Sequence, residues 1–174
     1  GLAFSGIPGP SAATATEEYD GSSWTNGGAL NTGRSAAAGT GTQTAGLCYG
    51  NDGPDKTISE EYDGSSWTSS GSMNTGKFFM ALGGTGTQTA ALASGGSSGP
   101  STTVTAVTET YDGTAWATNP SMGTARYYLA GGASGTTSAA LVMGGANAAE
   151  TKQNATEEFT GVTETIVAKT LTTS

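Results

Sequence analysis

The segments Thr16–Gly21 (TEEYDG), Ser59–Gly64 (SEEYDG), Thr108–Gly113 (TETYDG) and Thr156–Gly161 (TEEFTG) are copies of one phrase, starting 43, 49 and 48 residues apart. A repeat of this period is one supersecondary unit that buries its apolar face only against its neighbours. A Trp follows the aromatic residue by five positions in three copies, giving Tyr19/Trp24, Tyr62/Trp67 and Tyr111/Trp116, and Phe159 is the aromatic of the fourth. An apolar residue then recurs at Leu30, Met73 and Met122, and a cation at Arg34, Lys77 and Arg126. The other half of the unit recurs as GTGTQTAGLCYG (39–50), GGTGTQTAALASGG (83–96) and GGASGTTSAALVMGG (131–145). Leu2-Ala3-Phe4-Ser5-Gly6 matches the end of these segments, so the chain enters partway through a unit. At least one strand is expected upstream or from another part of an assembly. The tandem region is 1–161, with a partial unit at 1–33 and units at about 34–76, 77–125 and 126–161. Residues 162–174 leave the repeat; Val162–Thr172 (VTETIVAKTLT) alternates like a strand, placed either to close the domain or to enter a neighbour.

Inside a unit, short runs of Tyr, Trp, Val and Thr are separated by Gly-rich punctuation, which predicts about four short strands and no helix. Asp-Gly at 20–21, 63–64 and 112–113 lies between two such runs and predicts a tight hairpin turn. With 29 glycines and 11% charged residues, side chains are too small to fill a thick core. Backbones must therefore approach closely, as they do in stacked or radially packed small sheets.

The net charge of −8, with six basic residues, argues against nucleic-acid or anionic-membrane binding. No apolar run reaches the roughly 18 residues of a membrane helix, so no membrane insertion is expected. The single cysteine, Cys48, cannot form an internal disulfide and reads as a small buried hydrophobe. There is no histidine, which excludes a Ser-His-Asp triad, an imidazole base and an imidazole metal site. A carboxylate-pair glycosidase is compatible with the residue types. Every acid that could be nominated, however, belongs to the repeat pattern, whereas catalytic residues are normally placed singly. The expectation is no enzyme, no cofactor and no metal.

Glu17, Glu60, Glu109 and Glu157 lie two residues before the aromatic, on its strand face. A buried carboxylate needs a partner. Arg34, Lys77 and Arg126 follow Glu17, Glu60 and Glu109 at a constant offset of 17, which predicts a repeated ion pair tying one unit to the next. On that offset Glu157 meets Ser174, so the pairing lapses in the last unit. The alternative is three acid–base sites around a channel. Trp24, Trp67 and Trp116, with Tyr19, Tyr62, Tyr111 and Phe159, read as unit-core aromatics; a sugar-stacking surface is the alternative. Asp20, Asp63 and Asp112 read as turn formers rather than Ca²⁺ ligands, because their spacing is not that of an EF-hand loop. Asn154-Ala155-Thr156 fits the N-glycosylation pattern.

An apolar strand ending in Gly-Gly, a variable loop, a Tyr, a Trp a few residues on and a Met-containing turn resembles the kelch repeat, most clearly over 108–145. The resemblance covers nearly the whole chain. The Tyr-to-Trp spacing is one shorter than is usual in the family, and the first copy ends Tyr49-Gly50-Asn51 without the full Gly-Gly. The family implies an all-β fold: a β-propeller of four-stranded antiparallel blades, here about three and a half to four, completed by terminal strands or a neighbouring subunit. Asp-Gly-x-x-Trp resembles the Asp-box turn of sialidase propellers, but Asp and Gly are adjacent here, and two arginines cannot build a carboxylate-clamping triad. The Ala/Gly/Thr-rich strands resemble the kelch-like repeat proteins of marine bacteriophages. That resemblance implies a structural or adsorption module of a virion (tail fibre, spike or capsid surface) presenting loops such as 51–56 and 97–103. The alternative is a cellular extracellular adhesin binding glycans, or a surface-filament subunit. Expected partners are copies of itself, other virion or filament subunits, or a cell-surface glycan; the expected location is a virion, the extracellular space or a cell surface.

Overall fold

A computed structural model describes residues 1–6, 13–81, 85–99, 103–132, 136–161 and 167–169. The described residues are all-β and form four small antiparallel sheets. Sheet I holds β1 (Leu2–Phe4), β2 (Thr16–Tyr19) and β3 (Trp24–Asn26). Sheet II holds β4 (Ala38–Thr42), β5 (Ala45–Tyr49), β6 (Ser59–Tyr62) and β7 (Trp67–Ser69). Sheet III holds β8 (Thr85–Thr87), β9 (Ala90–Ser94), β10 (Thr108–Tyr111) and β11 (Trp116–Asn119). Sheet IV holds β12 (Ala130–Gly131), β13 (Ala140–Met143), β14 (Thr156–Phe159) and β15 (Val167–Lys169).

In every sheet, sequence neighbours are spatial neighbours, so each sheet is a meander. β2, β6, β10 and β14 are the four copies of the TEEY phrase. Among the described residues, sheet I has no counterpart of β4, β8 and β12. In the last sheet β15 pairs with β14, placing Lys169 opposite Thr156; residues 162–166 and 170–174, including Ser174, lie outside the described residues.

The Tyr-to-Trp spacing has a direct cause. Tyr19 stands opposite Trp24, Tyr62 opposite Trp67 and Tyr111 opposite Trp116 across the β2–β3, β6–β7 and β10–β11 hairpins. The connection is a four-residue loop rather than the two-residue Asp-Gly turn that the sequence suggests. In the first copy Asp20 Oδ1 accepts the N–H groups of Ser22 and Ser23 at 2.7 and 2.9 Å. Asp63 and Asp112 repeat that geometry. An aspartate side chain that caps its own turn in this way lets two further residues be accommodated. The following Gly takes φ of +110, +94 and +94° at 21, 64 and 113, a region open to glycine without strain.

Adjacent sheets pack face to face through small residues. Sheet I rests Phe4 on Gly39 of β4, where a Cβ would lie 2.2 Å from the Phe4 ring. Here glycine serves the close approach of backbones. Between sheets II and III the core joins Leu47 and Tyr49 to Ala91, Ala93, Tyr111 and Trp116. Between sheets III and IV it joins Leu92 to Ala140 and Phe159.

Candidate functional site

The most ordered chemistry in the molecule lies at the junctions between sheets, and it is repeated. The segment leaving β3 carries Asn31, Thr32 and Arg34. Arg34 Nη2 meets Glu60 Oε1 of β6 at 2.5 Å, both side chains being buried. Its Nη1 donates to the carbonyls of Cys48 and Ile58 at 3.4 and 2.9 Å. The Glu60 carboxylate also accepts from the N–H groups of Asn31 (2.8 Å) and Thr32 (3.3 Å). The second junction repeats this: Lys77 Nζ lies 3.3 Å from Glu109 Oε1, and Asn74 and Thr75 donate N–H to that carboxylate. At the third, Arg126 Nη2 meets Glu157 Oε1 at 2.6 Å and Gly123 N–H donates to Oε2.

These pairs correct the register expected from the constant offset. Each cation reaches forward to the glutamate of the following unit, so the pairs are 34–60, 77–109 and 126–157. Glu17, expected to bind Arg34, is exposed instead. Glu157, expected to lose its partner, has one. The physical reason is direction. The cation sits on the connection that is already crossing to the next sheet; its backbone still bonds to the sheet it leaves, Arg34 N–H donating to Ala13 O at 3.0 Å. The side chain can then fill the start of the next sheet, where buried carbonyls and a buried carboxylate need donors. Burial pushes Lys77 down to about 8, with Glu109 opposing the shift.

A second set of bonds crosses the same junctions. Tyr62 Oη donates to Glu18, and Tyr111 Oη donates to Glu61 Oε1 at 2.7 Å. Trp67 Nε1 donates to Thr16 Oγ1 at 2.8 Å, and Trp116 Nε1 donates to Ser59 Oγ at 3.0 Å. Both indoles also pack on a ring of the preceding sheet, Trp67 on Phe4 and Trp116 on Tyr49, with centroids 5.0 Å apart. Sequence reasoning found these aromatics but not their acceptors. The signal was present: unit three has Thr110 where the others have Glu18, Glu61 and Glu158, and unit four has Phe159 in place of Tyr. The tyrosine and its acceptor are lost together across one junction. Thr110 there lines a cleft of about 490 Å³.

Backbone strain recurs at the same place. Ala36, Phe79 and Tyr128, each two residues after the cation, have φ of +52, +51 and +54°. For residues with a Cβ this region is unfavourable. They join in a line: Phe79 N–H donates to Ala36 O at 3.1 Å and Tyr128 N–H to Phe79 O at 2.9 Å.

The remaining candidates fall away from any common centre. Trp24 lies on the outer face of sheet I, remote from Trp67 and Trp116, which are buried. The Asp20 carboxyl is held down to about 2 by the N–H and hydroxyl groups of its own turn; Asp63 is lowered in the same way, and Asp112 by the N–H groups of Ala115 and Thr114. Among the described residues no group of three or more acidic, Cys or His side chains could hold a metal. Cys48 is buried, and its thiol is pushed up to about 12. Asn154 is exposed just before β14. Loop 51–56 begins with a buried Asn51 that accepts the Ser35 N–H. No family model matches the chain, and no curated protein matches it.

Proposed function

We propose that this chain is a non-enzymatic assembly and adsorption module, a scaffold of kelch-type propeller blades that presents loops such as 51–56 from the surface of a phage particle. The observation that carries the assembly part is the use of the polar chemistry. The buried carboxylates at 60, 109 and 157 each hold an Arg or Lys and backbone N–H groups at a junction. They are committed to joining units, which is what a scaffold requires. The virion part rests on the Ala/Gly/Thr-rich repeat style. Exposed loops on a rigid repeat carry recognition without disturbing the junctions.

Density-gradient fractionation of native material, with mass photometry of each fraction, tests this reading. The expected result is that the chain travels with particles and is released from them as multimers. A soluble monomer unattached to particles contradicts it. A chain attached to cells or to cellular filaments replaces the virion with an extracellular adhesin or filament subunit.

A further inference from the structure

The two outer faces of the four-sheet array are the two halves of an interface that sheets I and II, and sheets II and III, make inside it. In each internal junction the earlier sheet contributes a face built on a Leu, joined by Phe4 in sheet I and Tyr49 in sheet II, and the later sheet contributes an aromatic one. Leu47 of sheet II, 0% exposed, and Leu92 of sheet III, 4% exposed, are covered by the aromatic side of the next sheet. Leu141 occupies the same position in sheet IV and is 43% exposed. Trp67 and Trp116, which cover a preceding sheet, are 4% and 6% exposed, whereas Trp24 of sheet I is 53% exposed. Among the described residues the two end faces of the array are therefore left open. One end shows an uncovered aromatic face and the other an uncovered aliphatic face.

We infer that these ends are the docking surfaces for a second copy of this chain, sheet I of one copy seating on sheet IV of the next. The proposal gives the self-association in the assembly reading a definite surface and rests on that reading. The occupant follows from the polar groups, which continue in register. Trp67 and Trp116 donate to the hydroxyl at the first position of the preceding TEEY-type strand, Thr16 and Ser59. Thr156 supplies that hydroxyl in sheet IV, and Trp24 supplies the indole. Tyr62 and Tyr111 donate to the third position of the same strand, Glu18 and Glu61. Glu158 stands at that position in sheet IV, and Tyr19, whose Oη within one copy donates to Gly21 O at 2.9 Å, would turn its phenol to it. The third junction lacks both members, having Thr110 and Phe159, while the two end faces retain both. An unrelated partner would need to reproduce this pattern; another copy already has it. The contact joins two different faces, so it is heterologous and propagates into a ring or a filament.

Two exposed substitutions test the surface on the full chain. Trp24→Lys blocks the aromatic end, and Leu141→Lys blocks the aliphatic end. Size-exclusion chromatography with light scattering at about 0.15 M salt, over a wide protein range, is expected to show the wild type associating and each variant monomeric. An equimolar mixture of the two variants retains one good face of each kind and is expected to give a dimer of about 34 kDa from 17.0 kDa chains. Recovery in the mixture also shows that both variants are folded. A wild type that stays monomeric contradicts both the inference and the assembly reading. A wild type that associates while either variant still does so, or a mixture that remains monomeric, overturns this surface and leaves the assembly reading standing.

Discussion

Glu17 and Glu60 occupy the same position in their repeats, yet the structure assigns them opposite weight, and paired substitutions to Gln measure the difference. Glu60 is buried, takes an Nη2 hydrogen bond from Arg34 at 2.5 Å, and accepts two backbone N–H groups. Glu60→Gln leaves the buried Arg34 guanidinium without a counter-charge; breaking a buried pair from one side costs about 3–5 kcal/mol. Glu17 is exposed, and a surface change of this kind stays within about 0.5 kcal/mol. At about 2–4 °C per kcal/mol for a domain of this size, the expected fall in melting temperature is roughly 6–20 °C for Glu60→Gln and under about 2 °C for Glu17→Gln. Thermal unfolding followed by far-UV circular dichroism, with urea unfolding as a second probe, reads both. Equal losses in the two variants, or a Glu60→Gln loss below about 1 kcal/mol, refutes forward pairing.

Other expectations concern the same junctions. Installing the missing pair with Thr110→Glu and Phe159→Tyr is expected to give a favourable coupling of about 1 kcal/mol in a double-mutant cycle by urea unfolding; no coupling means that the sheet III–IV junction is not equivalent to the others. Cys48, buried with its thiol raised to about 12, is expected to react with a thiol reagent at pH 8 only as fast as the chain opens. Immediate labelling contradicts its place in the core. Lys77 is lowered to about 8 by burial, whereas an unfolded lysine keeps its proton to about 10.4. Between those values the unfolded state binds more protons, so the contribution of this group to stability rises with pH. Lys77→Arg is expected to remove that rise, so urea midpoints at pH 7.5 and 10 diverge between wild type and variant; parallel changes refute the assignment.

The repeat made the strands legible because each unit carries the same alternation and the same punctuation. β6, β10 and β14 begin at the Ser or Thr that opens the repeated phrase. The cation–glutamate pairing was legible as chemistry but not as register. Counting along the chain favours the constant offset of 17, while the true partners are 26, 32 and 31 residues away because the intervening loops differ in length. Only the path of the connection decides between them. The Asp-Gly turn was placed correctly and its size was not, since the Asp20 carboxylate organises two more residues than the dipeptide implies. Trp24 shows a further limit. Its sequence context matches Trp67, but burial depends on having a sheet beside it, and among the described residues none covers Trp24.

Cryo-electron microscopy of the native assembled material at side-chain resolution shows what covers Trp24. Sheet IV of a neighbouring copy is expected on that indole, with Thr156 at its Nε1 and Arg34 paired to Glu60 inside each copy. Discrete single chains with Trp24 in solvent, or Trp24 seated on sheet IV of its own chain, would contradict this arrangement.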